Sequence, residues 1–410
     1  MGSSSALVIP VIFFFVGTRV WALGKRHNLL TQVQYFRRRW ESDLLGLLLF
    51  VLLIALLIPY LLIGIMGGGI TLEQITKGQI PQWVGGLLVC AVVVTYVCYG
   101  GMRGTAWVNA FQTLVFMVLG GAAFFVIVDR MGGLSHALSQ VAANHPELLI
   151  RGAKIDPIEL LTYTCIPLSV GMFPHMFTHW LTARSARTFR YPLIFYPLCV
   201  AAVWIPSVLL GTLGSVDFPG LIGPAANSVL VKMIDLHAPG ILAGLLAAGV
   251  IAAIMSSLDS QVLSISNMFT QDIVRHYGAP DQFSEKQQVL YGRIFVVCIL
   301  AVAYLLSLVS ARSIFKLAIW SFTGFAALFP VVVAALFWKR STKYGAFASI
   351  LSVAILWIYF FFQGWQTPGY TVGSFGIMPV AVILAAATIS MIIVSLLTPP
   401  PPQSTVEQFF

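Results

Sequence analysis

Long runs of apolar residues alternate with short polar loops along almost the whole chain. Eleven runs reach or approach the roughly 17 to 25 residues that a helix needs to cross a bilayer: 6–23, 44–66, 83–99, 107–128, 157–181, 191–213, 241–267, 289–308, 315–338, 344–362 and 375–397. The hydrocarbon core offers backbone groups no water, so each run has to satisfy its own N–H and C=O groups as a helix. None alternates apolar and polar residues as a barrel strand would. The pattern predicts an all-α, polytopic membrane protein with about 11 transmembrane helices, forming one domain over residues 1–397. Residues 398–410, which open on "TPPPPQ", read as a flexible proline-rich tail.

The seventh run breaks the rule. Its stretch 252–273, "AAIMSSLDSQVLSISNMFTQDI", carries serines, two aspartates, an asparagine and two glutamines. At 100° per residue, Ala253, Ser256, Ser257, Ser260, Ser264, Asn267 and Gln271 share one arc of roughly 100°. Small residues alone would serve helix packing. A stripe with adjacent hydroxyls and an amide marks an ion or substrate pathway, because polar groups inside a membrane are costly. The Ser256 and Ser257 hydroxyls and the Ala253 carbonyl, one turn earlier, can give a sodium ion three oxygen ligands. Asp259 falls off the stripe and is not expected to be a direct ligand.

Composition fits this picture: 59% of residues are hydrophobic, 9% are charged, and the mean hydropathy is +0.91. The net charge of +9 resolves into a topology signal. Fourteen basic residues lie on alternate loops: Lys25, Arg26, Arg37, Arg38, Arg39, Arg103, Arg184, Arg187, Arg190, Arg275, Lys286, Lys339, Arg340 and Lys343. The other loops hold seven: Lys77, Arg130, Arg151, Lys154, Lys232, Arg312 and Lys316. This asymmetry puts the N-terminus outside and the C-terminus in the cytoplasm of a plasma (inner) membrane protein. The basic residues form no continuous patch, so nucleic acid is not an expected partner. The five cysteines lie within spans and lack CxxC spacing, which predicts buried thiols and no transition-metal site.

"AAIMSSLDSQ" followed by "FTQDIV" resembles the sodium-site helix of the sodium:solute symporter family. Three further segments resemble that family in order: "ALVIPVIFFFVGTRVWALGKRHNLLTQVQYFRRRWES", "GGMRGTAWVNAFQ" and "GMFPHMFTHWLTARSARTFR". The resemblance implies a LeuT-type inverted-repeat fold of five plus five helices. The first span then matches core helix two, so the first core helix is missing and the last two spans are peripheral. It implies sodium-coupled symport of a small organic solute by alternating access, with sodium at Ala253, Ser256 and Ser257 and no other cofactor. The interrupted fifth span, with Pro167, Gly171 and Pro174, would lie at the site, beside His175 and His179. Candidate vestibule residues are Asn109, Gln112, Tyr163, Phe173, Ser260 and Trp320. Two departures stand out. Asn109 replaces the aspartate of the family's W-x-D context, which points to one sodium per cycle. Ile166 and Val170 replace the aromatics of the proline transporters, which argues against a proline-like solute.

The absent first helices also suggest another reading, a truncated, non-transporting homologue acting as a membrane scaffold or sensor. An enzyme is not expected. "HMFTH" has two histidines at i, i+4 spacing but lacks the acidic residue of HExxH, and no serine occupies a nucleophile elbow.

Overall fold

A computed structural model describes the chain except for Met1, 151–155, Ile222, Pro239, 279–282, 311–312, Gln366 and Pro368. Of the basic residues assigned to loops, Arg151, Lys154 and Arg312 fall outside the described set. Among the described residues, nine helices are long and apolar enough to cross a membrane: Ser4–His27, Asp43–Ile75, Gln82–Arg130, Ala186–Asp217, Gly240–Tyr277, Glu285–Val309, Ile314–Phe337, Lys343–Gly364 and Pro379–Leu397. A tenth crossing is the pair Pro157–Gly171 and Pro174–Thr182, bent by 47°. Each of the eleven apolar runs corresponds to one of these elements, the third and fourth sharing one helix and the last helix starting only at Pro379.

That shared helix, Gln82–Arg130, has 49 residues. Straight, it would measure about 74 Å at 1.5 Å per residue, more than twice the roughly 30 Å hydrocarbon core. Gly101 interrupts it with φ 53° and ψ −160°. Such a backbone strains any residue with a Cβ, so glycine there makes two spans out of one apolar stretch.

The second span, Asp43–Ile75, runs through the core. It approaches the third through glycines on both helices: a Cβ on Gly85 would stand 3.0 Å from the Cα of Gly69, and one on Gly68 would stand 2.6 Å from Cγ2 of Val89. Lipid tails are as apolar as leucine, so close van der Waals contact of this kind is what draws membrane helices together.

On the face that carries most basic loops, the helix Gln32–Trp40 joins the first two spans. Thr31 caps it by accepting from the Gln34 N–H at 3.1 Å. One side of it reaches the broken fifth span, where Gln32 Nε2 donates to the Met172 carbonyl at 3.0 Å. Arg39, fully buried, donates from Nε to the Ala335 carbonyl at 3.2 Å and from Nη2 to Ser341 Oγ at 3.1 Å, at the end of the ninth span. Burial pulls its guanidinium down to about 10, so it remains charged at neutral pH. The other side meets the seventh span, where Arg37 Nη2 lies 3.7 Å from the buried carboxylate of Asp272. Arg37 Nε also stands 3.8 Å from Asp43, which accepts from His276 Nε2 at 2.8 Å.

Within the proline-rich tail, residues Gln403–Phe409 are helical and dock onto this same loop helix. Phe409, 4% exposed, stacks on His27 at 5.2 Å and meets Tyr35 edge-on at 5.9 Å. The Arg39 guanidinium lies over the Phe410 ring at 5.3 Å, and the Thr405 hydroxyl bonds the Glu41 carboxylate. A buried aromatic and cation–π contact hold in place what proline content alone would leave loose. The cysteines diverge from expectation: Cys90 is buried, but Cys298 is exposed.

The glycine contact gives a direct test. Gly85→Leu should overpack the second and third spans by about 1 to 3 kcal/mol and lower the thermal midpoint in detergent; an unchanged midpoint would count against this packing.

Candidate functional site

The seventh span, Gly240–Tyr277, keeps its polar stripe in three dimensions. Ser256 Oγ donates to the Ala253 carbonyl at 3.0 Å, and Ser257 Oγ lies 3.4 Å from the same oxygen. Three oxygens thus converge in mid-span. Serine hydroxyls in membrane helices bond back to the previous turn in this way, and each keeps lone pairs for a cation. Ser260 and Ser264 continue the ladder, Ser264 Oγ donating to the Ser260 carbonyl at 2.8 Å. Further along, Asn267 and Gln271 line a cavity of about 600 Å³ that opens on the basic face beside Gly101, Arg275 and Glu285.

Asp259, off the stripe, points into the protein. It is 0% exposed. Tyr96 OH donates to its Oδ2 at 2.9 Å, and Ser260 Oγ donates to its Oδ1 at 3.2 Å. Asn109 Nδ2 donates to Ser260 Oγ at 2.6 Å. Tyr96 precedes the Gly101 break and Asn109 follows it, so two adjacent residues of the seventh span hold both halves of the longest helix. Asn109 thus faces the Asp259 carboxylate through Ser260. Gln112, buried one turn beyond Asn109, lies against Tyr96.

The fifth span breaks where its prolines and glycine predict. After the 3-10 turn Ile166–Gly171, Phe173 is extended, with φ −63° and ψ 128°, as the residue before a proline tends to be. Pro174 then opens a second helix. Beside this break, Tyr60 of the second span lies against Ser257 and Gln261, and Gln261 lies against His175. Gln261 Oε1 and His175 Nδ1 are buried without a hydrogen-bond partner among the described residues.

The six vestibule candidates separate into three places. Asn109, Gln112 and Ser260 belong to the interface around Asp259. Phe173 is buried among Tyr60, Phe322 and Phe325, at ring separations of 5.9, 5.4 and 4.6 Å, in a packing position and not at an open wall. Tyr163 and Trp320 do meet, in a cavity of about 390 Å³ on the face opposite the basic loops. Tyr60, Tyr96 and Gln261 escaped the sequence reading. A single tyrosine in an apolar run gives no signal, and Gln261 lies outside the stripe.

Comparison with known protein families matches residues 3–352 to the Sodium:solute symporter family. The chain belongs to that family. Its activity class is therefore sodium-coupled solute symport, and it is a transporter and not an enzyme. Among similar proteins, the Sodium/proline symporter of Haemophilus influenzae is 27% identical over 80% of this chain and 67% of its own length. The Sodium/pantothenate symporter of Escherichia coli is 26% identical over 83% of this chain and 71% of its own. A solved, substrate-bound, outward-open sodium-coupled sialic acid symporter superposes with a TM-score of 0.74 at 18% identity, covering 98% of this chain and 84% of that one. The all-α LeuT-type architecture expected from the sequence is the one observed.

The interface around Asp259 should be sensitive to single atoms. Tyr96→Phe leaves a buried carboxylate one donor short and should destabilise the protein by about 1 to 3 kcal/mol. Tyr99→Phe, at a ring 83% exposed, should leave the unfolding midpoint where it was; equal effects of the two would refute the assignment.

Proposed function

We propose that sodium binds the Ala253 carbonyl and the Ser256 and Ser257 hydroxyls, and that its downhill entry drives uptake of a small organic solute from the outside. The observation that carries this reading is the convergence of those three oxygens at mid-span in a chain of this family. The solute's place is the adjoining polar wall of Tyr60, Gln261 and His175. Unpartnered buried polar atoms are costly, and a bound solute would satisfy Gln261 Oε1 and His175 Nδ1. Ser257 belongs to both neighbourhoods, so ion and solute stabilise the same arrangement, and each raises the other's affinity by the same factor.

The cavity with Tyr163 and Trp320 is the entrance, and the cavity with Asn267 and Gln271 is the exit. The excess of Lys and Arg on the exit face supports a cytoplasmic position for that face, with the N-terminus outside. One sodium per cycle is the stoichiometry we adopt, with Asp259 a structural partner of Tyr96 and Ser260 and not a ligand. The family's membership includes proline and pantothenate symporters; Val170 and Ile166 favour a solute other than proline.

Radiolabelled sodium binding to the purified protein tests the site. Ser256→Ala with Ser257→Ala should weaken binding at least about tenfold, a loss of about 1.4 kcal/mol or more, and remove the sodium dependence of uptake in vesicles. Uptake that persists when potassium replaces sodium would sink the proposal.

A further inference from the structure

The cavity of about 600 Å³ on the basic face has in its wall an arginine that the protein leaves without a counter-charge. Arg293 stands four residues, about 6 Å, inside the apolar run 289–308 of the eighth span, Glu285–Val309. Charged groups inside a span ordinarily pair with one another or with backbone oxygens. Arg293 does neither. Among the described residues its guanidinium makes no hydrogen bond and no ion pair, and its Cζ lies over the Tyr99 ring, 5.6 Å from the centroid. That ring is 83% exposed and ends the third apolar run. An exposed tyrosine at the end of a span belongs to the aromatic belt at headgroup level. An arginine one turn inside the hydrocarbon reaches the same level by extending its side chain.

The surroundings differ on the two sides of this guanidinium. Towards the water, Arg275 lines the same cavity, held by a long 3.4 Å bond from its Nη1 to Gln271 Oε1. Glu285 is the one acidic residue of the wall among the described residues, so two arginines and one glutamate leave the lining with a net positive charge. Towards the membrane, Val297, one turn deeper on the face of Arg293, is 49% exposed, and Ile294 beside it is 48% exposed. The third and eighth spans run side by side here, joined further along by the Tyr304 hydroxyl donating to the Trp83 carbonyl at 3.1 Å. A ligand received at this wall meets guanidinium groups at one end and apolar side chains at the other. A free anion has no use for the apolar end, and a phospholipid uses both.

We infer that this wall binds an anionic phospholipid, its phosphate on Arg293 and Arg275 and an acyl chain along Ile294 and Val297. The planar fork of arginine matches the oxygens of a phosphate, and basic pockets between spans are places where acidic headgroups bind. The positive lining selects a lipid of net negative charge over a zwitterionic one, whose headgroup would bring a further cation to the arginines. Gly101 lines the same cavity, so the bound lipid sits where the long helix divides. The site does not rest on the sodium or solute reading.

The full-length protein, stripped of lipid in dodecyl maltoside, tests the site through its thermal midpoint. The ligands are dioleoylphosphatidylglycerol, dioleoylphosphatidylcholine and inorganic phosphate. Phosphatidylglycerol should raise the midpoint saturably at concentrations where the other two do not. Arg293→Met should weaken that response by roughly tenfold. Lys77→Met, which removes an equal charge from an exposed loop on the opposite face, should leave it unchanged. A cooperative unfolding transition of Arg293→Met without lipid shows that the variant folds.

The inference is overturned if phosphatidylglycerol leaves the midpoint where it was, or if phosphatidylcholine or inorganic phosphate acts as well. It is equally overturned if Arg293→Met responds like the parent, or if Lys77→Met loses the response to the same extent. Should Arg293→Met not fold, the comparison of the three ligands on the parent protein still decides. None of these readouts depends on sodium, so failure of this site and failure of the symport reading are separate results.

Discussion

A carboxylate placed where no water reaches it needs donors, and the partners of Asp259 organise this protein. Tyr96 and Ser260 supply the donors directly, and Asn109 secures Ser260. Tyr96 and Asn109 lie on either side of Gly101, so the seventh span can satisfy its aspartate and serine only if the long helix folds back on itself at that glycine. Burying a charge makes the arrangement selective. A register in which either half of the long helix slid by one residue would strand the carboxylate, a larger penalty than any single apolar contact could offset. The Ala253 carbonyl and the Ser256 and Ser257 hydroxyls lie next to this interface on the same helix.

The spans were legible in the sequence because bilayer thickness imposes a length on apolar runs, and the loops between them are short. The fifth-span break was legible too, since Pro167, Gly171 and Pro174 announce it through local backbone rules. The merging of the third and fourth runs was not, because the positive φ of Gly101 is a choice among many glycines. The helical period put Asp259 off the polar stripe, yet its partner Tyr96 lies 163 residues away. Contacts of that range have no periodicity to betray them. Phe173 shows the ambiguity of an aromatic in an apolar run, which can line a pocket or fill a core; in the fold it packs against Phe322 and Phe325 and also against Tyr60 and His175.

Hydrogen bonding is distributed unevenly along the polar stripe. At one end, Ser256 to Ser264 are tied to one another by hydroxyl ladders and to the long helix by the buried aspartate. At the other, Asn267 and Gln271 face a cavity, and the segment Phe269–Val274 widens into a π-helix. Such widenings in helices occur often at functional sites. The helix Gln32–Trp40 bridges this end, through Arg37, and the broken fifth span, through Gln32.

The docked tail has a consequence for how the molecule is made. Phe409 and Thr405 meet His27, Tyr35 and Glu41 only after every span between them has been inserted, so the loop helix spends most of synthesis with Arg39 lacking its aromatic cover. Until then the guanidinium that ends up buried lacks both its Phe410 contact and its acceptors at Ala335, Trp338 and Ser341. The cover of this loop helix is therefore completed from the far end of the sequence, late in synthesis, by residues 403–410.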